Sequence, residues 1–86
     1  MNSNNLKKQK EQVLIYFKEK KFEKVIIEGE KILKDGQNDA QLFFVLGLAS
    51  INLQNFVNAE VYFEKLILFK KNAENLYTLG NIQKKL

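Results

Sequence analysis

The sequence predicts an all-α fold of five helices joined by short connections, two and a half helix-turn-helix units in series. Three observations predict it. The chain resembles itself after 34 residues. Phe22-Glu23-Lys24-Val25 falls over Phe56-Val57-Asn58-Ala59, and Glu30-Lys31-Ile32-Leu33 over Glu64-Lys65-Leu66-Ile67. Leu14 falls over Leu48 and Phe17 over Ile51, and Leu46-Gly47 returns as Leu79-Gly80 at an offset of 33, one residue having been lost. Within each copy the apolar residues recur at spacings of three and four, the period of an amphipathic helix. Proline is absent and there are only 4 glycines, so little interrupts regular structure.

Each element has its own local reason. Val13, Leu14, Tyr16 and Phe17 form the apolar face of the first helix, which the polar run Lys18–Lys21 ends. Phe22, Val25, Ile26, Gly29, Ile32 and Leu33 line one face of the second. Gly29 in mid-helix costs about 1 kcal/mol relative to Ala, so it is expected to make room for a neighbouring side chain such as Phe43. Asp35–Asp39 is the next turn, with Gly36 as a left-handed stop and Asn38 or Asp39 as the cap of the third helix, Ala40–Leu53. Asn55 is expected to cap the fourth helix, Phe56–Phe69, and Asn72 the fifth, from Ala73 to about Lys84. Gly47 and Ala59 are expected to face each other where two backbones approach closely. Leu76, Leu79 and Ile82 should pack back on the fourth helix.

Composition narrows the function. At 86 residues the chain is one small domain whose core is thin, burying roughly 60–65% of the unfolded surface. With no Cys and no His there is no disulfide, no Cys/His zinc site and no Cys–His or Ser–His nucleophile pair. All 14 basic residues are Lys; a net charge of +4 without one Arg is a weak nucleic-acid signal, because Arg makes the bidentate phosphate and guanine contacts. Glu19/Glu23 and Glu60/Glu64 are spaced to pair on a helix, but nearby lysines make them read as a solvated surface. Leu46-Gly47-Leu48 and Leu79-Gly80-Asn81 lie inside helices and cannot be phosphate loops. No catalytic, cofactor or metal site is expected. No apolar run approaches the roughly 20 residues of a membrane span, and no targeting signal is seen, so a cytoplasmic protein is expected.

Phe43, Leu46-Gly47, Ala59 and Phe63 stand at the spacings of the tetratricopeptide repeat, and Leu79-Gly80 begins another copy. On these residues the chain resembles that family over nearly all its length after Leu6. It departs from the pattern in the first copy, where Gln12-Val13, Val25 and Gly29 replace Leu-Gly, Ala and Phe. Gln37 and Lys71 stand in place of the family's proline. The resemblance implies a short right-handed solenoid of antiparallel helix hairpins: one domain over 1–86, with repeat one at about 6–39, repeat two at about 40–72 and a half repeat at about 73–86. It also implies a non-catalytic protein–protein interaction module. In such folds the first helix of each hairpin lines a concave groove for a peptide or helix, here built from Lys10, Leu14, Phe17, Phe44, Leu48, Ile51, Tyr77 and Asn81. Some members grip an acidic C-terminus through Lys and Asn. Lys10 fits that pattern, but Leu14 and Leu48 replace the two Asn residues, which argues against a carboxylate grip here.

Two apolar excesses support a binding role independently of the resemblance. The third helix has almost no polar face, so Phe44, Leu48 and Ile51 look into an empty groove unless the flanking helices close over them. On the fourth helix Val57, Val61 and Leu68 make a stripe expected to face solvent, where the earlier copy has Glu23, Ile27 and Lys34. The partner expected is a protein or peptide, or a second copy of the chain in a homodimer; nucleic acid is disfavoured. The alternative is that the chain is an N-terminal accessory segment of a larger enzyme, such as a transferase.

Overall fold

The computed structural model describes residues 3–86, and the side chains from residue 5 onward. The expected domain begins at Met1; residues 1 and 2 lie outside the described ones. Five helices follow in order: α1 (Ser3–Lys18), α2 (Phe22–Lys34), α3 (Ala40–Asn52), α4 (Phe56–Phe69) and α5 (Ala73–Lys85). There is no strand among the described residues. Each helix packs on the next, and α1 also touches α3, in a body measuring 39 × 25 × 19 Å.

The polar punctuation sets the boundaries. Asp39 Oδ1 accepts from the Leu42 N–H at 3.1 Å, Asn55 Oδ1 from Asn58 N–H at 3.3 Å, and Asn72 Oδ1 from Asn75 N–H at 2.8 Å. Each side chain thereby satisfies one amide that a helix start leaves without an intrahelical acceptor. Of the two candidates for the α3 cap, Asp39 is the one used. Gly36 takes φ +85°, the left-handed conformation that ends α2.

The α1–α2 and α3–α4 turns share one backbone design. Lys20 has φ 61° and Gln54, 34 residues later, φ 60°. Lys20 N–H donates to Phe17 O and Lys21 N–H to Tyr16 O, at 3.0 and 2.9 Å. Gln54 N–H donates to Ile51 O and Asn55 N–H to Ser50 O, at 2.9 and 2.8 Å. The outer of these bonds spans five residues and the inner three, the pattern of a Schellman stop. α2 has no side-chain cap, so this turn is what delivers the chain into it.

The core runs between the helices. Val13, Val25, Leu46, Ala49, Ala59 and Phe63 are fully buried, with Leu42, Phe43, Leu66 and Ile82 nearly so. Ser50 is buried inside α3 and donates its hydroxyl to the Leu46 carbonyl at 2.9 Å, so no polar atom is stranded there. Val25 and Ala59 occupy equivalent places one period apart.

The structure corrects three packing expectations. The neighbour that needs space at Gly29 is Leu46, whose Cδ2 would lie 2.6 Å from an added Cβ, and not Phe43. At Gly47 the close partner is the Phe63 ring rather than Ala59. Leu76 does not pack back on α4: it is 42% exposed. Asn75 takes the buried place beside it, its Nδ2 donating to the Lys70 carbonyl at 2.9 Å across the α4–α5 connection. That carbonyl lies just past the end of α4, where a helix leaves acceptors unsatisfied.

Candidate functional site

The sequence places its candidate groove on α1, α3 and α5. Leu14 and Phe17 on α1, and Phe44, Leu48 and Ile51 on α3, are all half-buried. Their inner sides pack against the core and the remainder meets solvent. These residues obey the repeat: Lys10, Leu14 and Phe17 stand 34 residues before Phe44, Leu48 and Ile51. α3 is therefore partly, not wholly, covered by its neighbours. Phe44 sets its ring edge-on to Phe63 at 6.2 Å between centroids, and Phe17 does the same to Phe22 at 5.9 Å. These contacts fix two aromatic anchors of the row while leaving part of each reachable.

Lys10 is tied down as well. Its Nζ donates to Asp39 Oδ2 at 2.5 Å, joining α1 to the α3 cap. Burial alone would raise the Asp39 carboxyl, but the Lys10 hydrogen bond, the Leu42 amide and the Lys10 charge outweigh it and hold the group below its ordinary range. Lys10 thus works first as a structural partner, and a ligand carboxylate there would compete with Asp39.

On α5, Tyr77 and Asn81 are exposed. Between the N-terminal ends of α3 and α5 lies an open cleft of about 430 Å³, bordered by Gln41, Phe44, Leu66, Lys70, Glu74 and Asn75. Its wall mixes one aromatic edge with polar groups of both signs.

The α4 stripe faces solvent as its sequence implies: Val57, Val61 and Leu68 are exposed, Leu68 at 83%. Glu64, also exposed, falls in the same line. Val61 borders a shallow groove between α2 and α4 together with Glu30, Lys34, Tyr62 and Lys65. In this groove the Tyr62 hydroxyl donates to Glu30 Oε1, linking α2 to α4. Burial raises the Tyr62 phenol, and the Glu30 hydrogen bond and charge raise it further. Sequence reasoning misses this link. The one available signal is that Tyr62 aligns with Glu28, so a polar tip enters only in the second copy.

Glu19 meets Lys21 at 3.2 Å rather than Glu23, in keeping with a solvated acidic surface. Among the described residues no group of three or more His, Cys, Asp or Glu is placed to hold a metal ion, and no helix is long and apolar enough to cross a membrane. No protein-family model, curated protein or solved structure significantly matches the chain.

Proposed function

We propose that the chain is a non-catalytic interaction module of the tetratricopeptide type that holds an apolar helix or peptide along α1 and α3. The observation that carries this reading is the row Leu14, Phe17, Phe44, Leu48 and Ile51, half-buried side chains repeated at the period of the fold. A fully buried row would be core, and a fully exposed one would be poorly anchored. A row seated on the core with its outer part open suits the apolar anchors of a docked helix. The matched Schellman turns and the shared burial of Val25 and Ala59 support the solenoid reading, in which one unit extends over about 6–39, the next over about 40–72 and a half unit over about 73–86. A cytoplasmic setting belongs to the same proposal.

The test is affinity capture from lysate with three baits in parallel: the parent, Leu48→Lys and Val61→Lys. Circular dichroism should be nearly unchanged in both variants, because Leu48 is not fully buried and Val61 is exposed. A partner held by the parent and by Val61→Lys, but lost by Leu48→Lys, supports the groove. Identical recovery with all three baits sinks it. Loss with Val61→Lys alone moves the binding surface to α4.

A further inference from the structure

The exposed side of α5 carries both halves of a helix–helix contact. Ala73, Tyr77, Gly80 and Lys84 follow one another at spacings of four, three and four, which places them along a single seam. Tyr77 stands out as a knob, 73% exposed. Gly80 is a hole: a Cβ built there meets nothing within 4 Å. The same molecule shows what such a hole receives. Gly47, the equivalent of Gly80 one unit earlier, is filled by the Phe63 ring, whose Cε2 and Cδ2 would lie 2.4 and 2.5 Å from an added Cβ. That aromatic follows a small residue, Ala59, by four positions; on α5, Tyr77 follows Ala73 by four.

We infer that two copies of this chain pair through α5, antiparallel, with Tyr77 of each copy seated over Gly80 of the other. Knob and hole lie on one face, so a twofold axis near residues 78 and 79 satisfies both at once, as an isologous contact requires. Charge selects the antiparallel direction and a second copy as occupant. α5 begins with Glu74 and ends with Lys84 and Lys85. Antiparallel pairing sets the acid of each copy beside the bases of the other at both ends, whereas parallel pairing sets like against like. Ala73 leaves room for the Lys84 stem opposite it, and Leu76 flanks the seam with apolar surface that the monomer leaves exposed. This surface is separate from the row on α1 and α3, and the pairing stands or falls without it.

Sedimentation velocity of the full chain across a concentration series tests the inference. The parent should pass from monomer to dimer. Gly80→Leu fills the hole without touching anything in the monomer, so it should abolish the dimer while keeping helicity. Glu74→Lys and Lys84→Glu should each raise the dimer dissociation constant roughly tenfold, and the double reversal should restore it. A parent that stays monomeric at the highest concentrations overturns the inference. A dimer that survives Gly80→Leu, or that yields only to Val61→Lys, overturns it too and places the contact elsewhere.

Discussion

The Phe63 ring fills the place where a side chain at Gly47 would stand, its Cε2 only 2.4 Å from the position of a Cβ there. Gly47 is on α3 and Phe63 on α4, so this glycine is selected by packing and not by a turn. Both residues are buried. The hairpin can therefore close only with a small residue on one helix and a flat one on the other.

Alanine at three helical glycines should rank by what the new methyl meets. Gly80→Ala meets nothing and should gain up to about 1 kcal/mol from helix propensity. Gly29→Ala meets the end of the Leu46 side chain, which can rotate, so gain and clash should nearly cancel. Gly47→Ala drives into a ring locked in the core and should lose about 1–3 kcal/mol. Denaturant midpoints at low protein concentration measure the order. Equal stability of Gly47→Ala and Gly80→Ala would show that Phe63 does not fill the site.

Removing the Tyr62 hydroxyl should cost about 1–3 kcal/mol, because Glu30 loses a donor in a half-buried groove. The phenol is raised in the folded state above its ordinary 10.0. Its contribution is accordingly complete below that value and disappears as pH climbs through the folded one. In an absorbance titration, one of the three tyrosines should ionise late, and Tyr62→Phe should delete that late step. A titration in which the variant keeps it refutes the assignment.

Asp39 carries two separable tasks. Asp39→Asn retains a capping oxygen and loses the Lys10 pair, at a cost below about 1 kcal/mol because the pair is partly exposed. Asp39→Ala loses both and should cost about 1–2 kcal/mol. The carboxyl is lowered on folding, so the ion pair contributes fully above its unfolded value of 3.8 and fades as pH falls through the folded one. The melting difference between parent and Asp39→Asn should hold steady near neutrality and shrink in acid below that value. A difference that persists at about pH 2 would point to something other than charge.

The helices were legible because their signals are local. Asp39, Asn55 and Asn72 sit immediately before apolar periodic runs, and each does cap. The exposure of Val57, Val61 and Leu68 follows from their angular position on α4 alone. What the sequence hides depends on which helices come together and at what height. Lys10 reaches Asp39 across 29 residues and Tyr62 reaches Glu30 across 32, and neither separation coincides with the repeat. Leu46, not Phe43, lies over Gly29 because one helical position is a rotation of about 100°, which a pattern of apolar letters does not resolve. Leu76 and Asn75 exchange their expected places for a related reason. The Asn75 amide has a carbonyl to satisfy at Lys70, and α5 has no later helix among the described residues to cover Leu76.

Lys20 and Gln54 are neither glycine nor each other, yet both hold a left-handed backbone within one degree. Such a conformation costs an ordinary residue roughly 1–2 kcal/mol, and both hairpins bear it at the same phase. Lys21 and Asn55, which follow, share no chemistry either. Descent by duplication can thus outlast the alphabet in which it was written: torsion angles still agree at positions where the letters have wholly diverged. For this chain, kinship between its halves is best measured in degrees.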